Sequence, residues 1–260
     1  MKFIPKKSLG QNFLHDPKIL AKIIISADLN KNDIVLEVGP GTGNLTKLIH
    51  PEVKEVIAVE KDSRVIEELR NKFRDSNIKI IENDIMKFNP LDHDLATNNY
   101  KIVANIPYYI TSNFLKIILE NWPRPKLIVL TIQEEVAQRI IAKPPKMNIL
   151  ALAVQFYSDP VITGHISAGS FYPKPNVNSA IITLRPKTPP LDPDNAKRYF
   201  SLIKSAFAEK RKQLAKVLGL KLNIPKEKIG EALAHLGIQQ DARPEILSQD
   251  QWLALLKSLR

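Results

Sequence analysis

Four consecutive residues, Asn105, Ile106, Pro107 and Tyr108, combine groups that can hold a planar base with an exocyclic amine. They follow the apolar run 101–104, which predicts a buried strand ending near Pro107. Pro107 disfavours helical backbone at Ile106, so the Ile106 carbonyl can point outward beside the Asn105 amide oxygen. Two acceptors and an aromatic ring suit an adenine amine and would make its nitrogen a better nucleophile towards an electrophilic methyl group. The alternative is an ordinary strand end, with Tyr108 as core filler.

A glycine-rich turn follows another predicted strand. The turn Gly39-Pro40-Gly41-Thr42-Gly43 comes directly after the buried run 34–38 and before a helix predicted over 44–50. Strand, glycine turn and helix open a nucleotide-binding βαβ unit, in which glycines let the backbone approach a ligand closely. The glycine spacing is Gly-x-Gly-x-Gly, whereas the dinucleotide fingerprint needs Gly-x-Gly-x-x-Gly. A nicotinamide cofactor is therefore disfavoured.

Two carboxylates end neighbouring predicted strands. Glu60 closes the run 56–59 and follows Gly41 by nineteen residues, where an acidic side chain can accept hydrogen bonds from ribose hydroxyls. Its alternative is a surface carboxylate at a strand end. Asp84 follows the run 78–81 and could bind an adenine amino group or simply cap the next turn. Because parallel sheets bind ligands along the carboxyl edge of their strands, both carboxylates, the glycine turn and Asn105 should converge.

The strands and helices alternate, which predicts an α/β sheet domain. Strands are expected at 34–38, 56–59, 78–81, 101–104, 127–132 and 179–184, and helices from Pro17 and over 44–50, 63–74, 111–120 and 134–142. The run 149–157 fits either type. Beyond the proline-rich stretch 185–193 the patterns are helical, over 195–219, 226–236 and 250–259. We therefore predict a basic segment with a helix that packs over the ligand site (1–28), an α/β domain (29–185) and a helical domain (186–260).

The net charge of +11 lies mainly at the two ends of the chain. Residues 1–28 carry +3, residues 29–185 carry +2 and residues 186–260 carry +6. This distribution favours a catalytic body flanked by surfaces that attract phosphate. A solvated basic surface with no nucleic-acid role is the alternative.

Composition excludes several classes of protein. There is no cysteine, so disulfides, thiolate metal sites and a cysteine nucleophile are ruled out. The five histidines lack metal-ligand spacing, and we expect no metal. The first residues lack the apolar core of a signal peptide, and no apolar run reaches the length of a membrane span. We expect a soluble, cytoplasmic protein.

A proline-stiffened loop precedes the last predicted strand. Pro173 and Pro175 should hold this loop extended, and Phe171 at its start fits no hydrophobic period. An aromatic ring on a stiff loop could form the second wall of a base-stacking slot. The alternative is a hydrophobic plug beneath the loop.

Six motifs in the chain follow one another in the order and spacing of a known family. They are Gln-Asn-Phe-Leu (11–14), Glu-Val-Gly-Pro-Gly-Thr-Gly (37–43), Asn-Ile-Pro-Tyr (105–108), Phe-x-Pro-x-Pro-x-Val-x-Ser (171–179) and the tail segments 206–212 and 241–248. Together they resemble the ribosomal RNA adenine dimethyltransferases, and most closely the small-subunit branch. The resemblance covers essentially the whole chain. One departure is Met-Asn-Ile-Leu-Ala at 147–151, where the family usually has Tyr-Gly-x-Leu-Ser.

The resemblance implies a Rossmann-like class I methyltransferase sheet with a small helical RNA-binding domain. It implies that the enzyme uses S-adenosyl-L-methionine to convert two adjacent adenosines near the 3′ end of small-subunit rRNA to N6,N6-dimethyladenosine. The substrate would be rRNA within a pre-assembled 30S particle, and the enzyme would contribute to subunit biogenesis as a monomer. The positively charged sulfur of the cofactor drives such a reaction, so no metal is required.

The resemblance also implies roles for individual residues. The cofactor would be held by Asn12, Leu14, Gly39, Gly41, Glu60, Asp84 and Asn105. Tyr108 and Phe171 would stack the target base, while Asn105 and the Ile106 carbonyl, fixed by Pro107, orient its amine. RNA contacts are expected from Lys6, Lys7, Lys174, Lys210, Arg211 and Lys212.

Two other functions fit the same motifs. One is a 23S rRNA adenine dimethyltransferase of the antibiotic-resistance type, which the tail segments disfavour. The other is a non-catalytic ribosome assembly factor on the same fold. The intact Gly39, Glu60, Asp84 and Asn105 weigh against it. A DNA adenine methylase is disfavoured because the chain shows no sequence-reading module.

Overall fold

The computed structural model describes residues 5, 10–209 and 212–259. Its strands are β1 (Phe13–Leu14), β2 (Ile34–Val38), β3 (Glu55–Glu60), β4 (Ile78–Glu82), β5 (Tyr100–Asn105), β6 (Leu127–Gln133), β7 (Ser158–Ile166), β8 (Phe171–Tyr172) and β9 (Ser179–Pro186). Seven of them form one sheet in the order β4-β3-β2-β5-β6-β9-β7, whereas β1 and β8 pair as a separate antiparallel ribbon.

The helices of the first two thirds of the chain lie between these strands. They are α1 (Pro17–Ala27), α2 (Thr46–Ile49), α3 (Ser63–Lys72), α4 (Thr111–Glu120), α5 (Glu134–Ile140) and α6 (Ile149–Tyr157). Four more helices follow the sheet: α7 (Pro193–Phe207), α8 (Leu214–Leu222), α9 (Lys226–His235) and α10 (Gln249–Ser258). Of the described helices, none combines the length and the apolar character that a membrane crossing requires.

The direction of the strands explains where a ligand site can form. Strands β4, β3, β2, β5 and β6 are parallel, whereas β9 is antiparallel to β6 and β7 is antiparallel to β9. The chain builds the sheet outward from β2 to β4 and then returns to add β5 on the other side of β2. This reversal leaves a crevice at the carboxyl ends of β2 and β5, which is the usual ligand site of such sheets.

Continuous apolar runs identify the parallel strands because these strands are buried on both faces. Every predicted strand is present, and each begins and ends within two residues of its predicted position. The ambiguous run 149–157 is a helix. Sequence patterns did not indicate β7, which contains Pro160 and Gly164. Both are tolerated because β7 is an edge strand with an irregularity between Ile162 and Gly164.

The helical pattern over 195–219 was predicted as one element and is two helices. Helix α7 ends at Phe207, and α8 begins at Leu214. The backbone of Gln213 is extended (φ −60°, ψ 136°), and the Leu214 N–H donates to the Ala242 carbonyl at 2.8 Å. A tertiary hydrogen bond therefore replaces the helical one at this point.

The chain divides into two compact units, and the division differs from the predicted boundaries. One unit contains residues 1–138 and 158–186, and the other contains residues 139–157 and 187–260. Helix α6 belongs to the second unit because the Phe156 ring stacks on Tyr199, with centroids 5.0 Å apart, and the Met147 N–H donates to the Glu245 carbonyl at 2.9 Å. The functional roles assigned to the three predicted regions remain predictions.

The division also sharpens the distribution of charge. The helical unit has seventeen Lys and Arg against eight Asp and Glu, a net charge of +9. The sheet unit has twenty-one against nineteen, a net charge of +2. The helical unit therefore carries +9 of the net charge of +11.

A buried ion pair joins α1 to the beginnings of β2 and β5. Lys101 Nζ lies 2.9 Å from Asp33 Oδ2, and the two side chains are 8% and 2% exposed. The same ammonium donates to the carbonyls of Ala27 and Asp28 at the end of α1. Asp33 Oδ2 also accepts from the backbone and the side chain of Asn30. The pair is thus hydrogen-bonded on both sides, which offsets the cost of burying two charges.

We expect Lys101→Met to lower the free energy of unfolding by about 3–5 kcal/mol, because it leaves the Asp33 carboxylate buried without its cation. The matched control is Lys126→Met, which removes an ammonium that is 44% exposed and 3.8 Å from Asp33 Oδ1. The control should change stability by less than about 1 kcal/mol. Urea denaturation followed by circular dichroism measures both values. Equal losses in the two variants would contradict the assigned role of Lys101.

Candidate functional site

A cavity of about 810 Å³, counted with its open mouth, lies at the carboxyl edge of the sheet. Nine predicted site residues line it: Asn12, Gly39, Gly41, Glu60, Asp84, Asn105, Ile106, Pro107 and Tyr108. The convergence expected from the ends of parallel strands is therefore observed.

The glycine turn adopts a backbone that other residues avoid. Gly39, Gly41 and Gly43 have φ values of 68°, 56° and 75°, in the left-handed region. A Cβ on Gly41 would also lie 2.7 Å from the ring of Phe13. The missing side chain thus lets the chain segment containing Phe13 close down on the turn. This arrangement brings the backbone of the turn to the wall of the cavity.

Glu60 is held by three backbone N–H groups. Its Oε1 accepts from Lys61 and Asp62, each at 2.8 Å, and its Oε2 accepts from Gly41 at 3.1 Å. Burial raises the pKa of Glu60, and these hydrogen bonds act in the opposite direction. Each carboxylate oxygen has two lone pairs, so Oε2 keeps one direction for a ligand hydroxyl. The carboxylate is therefore oriented before any ligand binds.

Asp84 caps a turn and lines the cavity as well. Its Oδ1 accepts from the Met86 N–H at 3.0 Å, at the start of a short 3-10 helix, and its Oδ2 lies 2.8 Å from Lys61 Nζ. The hydrogen bond from Lys61 lowers the pKa of Asp84. Asp84 therefore caps the turn, as the alternative interpretation expected, and it also lines the cavity. Lys61, which also lines the cavity, was not predicted because a single lysine after a strand carries no signal of its own.

The Asn105 side chain is oriented by the main chain of Asn12. Its Nδ2 donates to the Asn12 carbonyl at 2.9 Å. A carbonyl can only accept, so the amide must present its NH₂ group on that side and its Oδ1 on the other. The acceptor oxygen that we assigned to the base amine is therefore fixed in direction.

The residues Gly10–Leu14 form a strap across one side of the cavity. Gln11 Nε2 donates to Asp62 Oδ2 at 2.8 Å, and Asn44 Nδ2 donates to the Leu14 carbonyl at 3.0 Å. The Leu14 side chain is 5% exposed and packs in the apolar core, outside the main cavity. Leu14 thus anchors the strap. A direct contact between Leu14 and the cofactor stays a prediction.

Tyr108 presents its ring to the cavity and anchors its hydroxyl elsewhere. The hydroxyl lies 2.6 Å from Ser179 Oγ, and burial raises the pKa of Tyr108. Ser179 is fully buried and closes the Phe-x-Pro-x-Pro-x-Val-x-Ser motif. We did not predict its part in the site. The motif could have indicated it, because a serine at the start of a buried strand needs a hydrogen-bond partner for its hydroxyl.

Phe171 does not line the cavity. It is 3% exposed and belongs to the apolar core that contains Leu14 and Leu20. It pairs with Leu14 in the ribbon of β1 and β8, which turns both side chains inward. The structure therefore places Phe171 as the hydrophobic plug that was the alternative reading, and the predicted stacking wall is not formed by this ring.

The predicted RNA contacts are only partly described. Lys6, Lys7, Lys210 and Arg211 lie outside the described residues. Lys174 is exposed on the proline loop, and Lys212 is exposed and forms an ion pair with Glu209. Their contacts with RNA stay predictions.

Glu37, which sequence analysis did not single out, lies beneath the glycine turn. It is 1% exposed at the end of β2, and no described residue gives its Oε2 a hydrogen bond. Burial raises the pKa of Glu37 to about 8, and the nearby Glu60 acts in the same direction. Glu37 is therefore protonated in the folded protein at neutral pH.

The chain matches the profile of the ribosomal RNA adenine dimethylase family over residues 3–260 and belongs to that family. It is 40% identical over 255 residues to the ribosomal RNA small subunit methyltransferase A of a Dehalococcoides mccartyi strain, covering 96% of this chain and 87% of that protein. It is 38% identical over 265 residues to the protein of the same name from Lachnoclostridium phytofermentans, covering 98% and 91%.

Two solved structures share the fold along almost the whole chain. A dimethyladenosine transferase from Plasmodium falciparum superposes with a TM-score of 0.80 at 29% identity, covering 94% of this chain and 95% of that chain. The 23S rRNA methyltransferase ErmE superposes with a TM-score of 0.79 at 28% identity, covering 95% and 99%. The predicted family, the enzyme class of rRNA adenine dimethyltransferases and the α/β methyltransferase fold with a helical C-terminal part are confirmed.

We expect Glu37→Gln to change how stability depends on pH. Glu37 is protonated in the folded state up to about pH 8 but ionises near its ordinary value of 4.5 when unfolded, so unfolding releases a proton between these values. The wild type should therefore lose stability as pH rises through this window, and the variant should not lose that part. Between pH 5 and pH 8.5, the free energy of unfolding of the variant should rise relative to that of the wild type by on the order of 4 kcal/mol. If urea denaturation gave the same dependence of stability on pH for the wild type and the variant, a neutral Glu37 would be contradicted.

Proposed function

We propose that this protein uses S-adenosyl-L-methionine to dimethylate N6 of two adjacent adenosines near the 3′ end of small-subunit rRNA. The observation that carries the proposal is the Asn105 amide, which is fixed by the Asn12 carbonyl within the cavity that also contains Gly41 and Glu60. Family membership and relatives named as small-subunit enzymes support the substrate. We further propose that the protein acts as a monomer on pre-assembled small subunits in the cytoplasm, where its substrate is found.

The residues of the cavity fit the proposed cofactor. The left-handed glycine turn offers backbone that a Cβ would obstruct, and Glu60 keeps an acceptor direction for a ribose hydroxyl. Asp84 keeps a second lone pair on each oxygen for an adenine amine. The strap residue Asn12 would cover the remaining part of the cofactor. When bound, S-adenosyl-L-methionine supplies an electrophilic methyl group on a positively charged sulfur.

The target base would be held at the end of β5. Tyr108 offers a ring face, and its hydroxyl is tied to Ser179, so the ring is positioned before the base arrives. Asn105 Oδ1 and the Ile106 carbonyl would each accept one N–H of the adenine amine. These acceptors stabilise the positive charge that develops on the nitrogen during methyl transfer. Each transfer releases one N–H proton to water, so one N–H remains after the first transfer and the second transfer engages one acceptor.

The large-subunit alternative is distinguished by the substrate. The 23S rRNA methyltransferase ErmE has the same fold at 28% identity, whereas the curated relatives at 38% and 40% identity are named as small-subunit enzymes. We expect the purified protein to transfer labelled methyl groups to isolated small subunits that lack the modification, with N6,N6-dimethyladenosine as the product nucleoside. Unmodified large subunits are the control. Label in the large subunit alone would overturn the proposed substrate.

We expect Asn105→Ala to lower turnover roughly 100-fold or more, because one of the two groups that stabilise the developing charge is lost. Cofactor affinity, measured by calorimetric titration, should stay within a modest factor of the wild type. Tyr108→Phe is the companion variant, since it keeps the ring and loses only the bond to Ser179, and it should retain most of the turnover. Near-normal turnover of purified Asn105→Ala would rule out the role assigned to Asn105.

A further inference from the structure

Tyr172 is an exposed aromatic residue beside the cavity that the proposed reaction does not use. Its side chain is 64% exposed. Among the described residues, none forms a hydrogen bond, ion pair or ring contact with this side chain. A large ring left in water on a catalytic unit offers apolar area that a ligand can bury.

The pairing of β1 with β8 determines the direction of this ring. Leu14 pairs with Phe171, and Phe13 pairs with Tyr172. Paired residues share one face of a ribbon, and successive residues face opposite sides. Leu14 and Phe171 both face the core, so Phe13 and Tyr172 share the other face. Because Phe13 lines the cavity and lies against Gly41, Tyr172 is on the cavity side of the ribbon.

The segment that carries Tyr172 is anchored at both ends. Before the ring, the Ser170 carbonyl accepts from the His15 N–H, and Ser170 Oγ donates to Asp16 Oδ2, each at 3.1 Å. After it, the Asn178 side chain accepts from the Ala168 N–H at 3.1 Å. A ring on an anchored segment loses little conformational entropy when a ligand covers it.

The chemistry around Tyr172 suits single-stranded nucleic acid. Lys174 is exposed two residues further along the chain and offers a cation for a phosphate. An exposed aromatic ring beside a cation is the arrangement with which proteins bind unstacked bases. The wall of the cavity itself is supplied by Tyr108, and Tyr172 does not line the cavity. The base that reaches Tyr172 is therefore a different one from the base in the cavity.

We propose that Tyr172 stacks on the base of a nucleotide that flanks the target adenosines, while Lys174 contacts the RNA backbone. This inference rests on the proposed function, because it takes RNA as the substrate of the neighbouring cavity. It assigns to Tyr172 a base-stacking role on a flanking nucleotide, whereas Phe171 had been expected to stack the target base.

The test is a double-mutant cycle with the full-length protein, in which one change removes the Tyr172 side chain and the other removes a base of the RNA. The probes are a fluorescein-labelled RNA that carries the two adjacent adenosines and a set of the same RNA with one abasic nucleotide at each flanking position. Tyr172→Ala should weaken binding of the intact RNA roughly 5- to 150-fold, as loss of one base–aromatic stack does. On the RNA that lacks the stacked base, the variant and the wild type should bind equally. Tyr172→Phe should bind as the wild type does.

The control variant is Leu91→Ala, which truncates a side chain that is 63% exposed elsewhere on the same unit and should leave RNA binding unchanged. Equal affinity of Tyr172→Ala and wild type for intact RNA would overturn the inference, as would an equal loss on every abasic RNA. A drop in cofactor affinity or thermal stability of Tyr172→Ala would show a structural role and also overturn it. A wild type that transfers no methyl group to isolated, unmodified small subunits would overturn the proposed function as well.

Discussion

The hydrogen bond from Asn105 to the Asn12 carbonyl determines what the cavity can recognise. It commits the NH₂ group of the amide to the protein and leaves the amide oxygen for a ligand, so this position can only receive a donor. The bond also needs the strap in place, and the strap is held by Gln11 on Asp62 and by Asn44 on the Leu14 carbonyl. Closure of the strap over the cavity and orientation of the acceptor at the end of β5 are therefore parts of one hydrogen-bonded arrangement.

Buried ionisable side chains lie at both edges of the sheet, in different environments. At the amino-terminal edge, Lys101 and Asp33 neutralise each other and fasten α1 to the strands. At the carboxyl edge, burial raises the pKa of Glu60 and of Glu37, and the nearby Glu60 raises that of Glu37 further. Glu60 has three N–H donors, whereas Glu37 is relieved by holding a proton. One edge thus holds two opposite charges that compensate each other, and the other retains at Glu60 a carboxylate that lines the cavity.

Sequence patterns predicted the features that depend on neighbouring residues in the chain. They missed the features that depend on contacts between distant segments. Apolar runs identified the parallel strands, and the rule that parallel strands end at one edge brought Gly39, Glu60, Asp84 and Asn105 together. The bond between Asn12 and Asn105 joins residues 93 positions apart, and no local pattern encodes it. The inward direction of Phe171 has a similar cause. A strand of two residues has no periodicity, so its inward face is set by its partner alone.

The path of the chain between the units affects any attempt to separate them. The proline-rich stretch near residue 186 looks like the only junction, yet the chain enters the helical unit at residue 139 and leaves it at residue 157 before β7 begins. A fragment cut at that stretch would keep Ala151, Leu152 and Phe156 without the helices that cover them. Such a fragment would expose the apolar face of α6 and tend to aggregate during expression. The sheet unit is discontinuous in sequence, although it is compact in space.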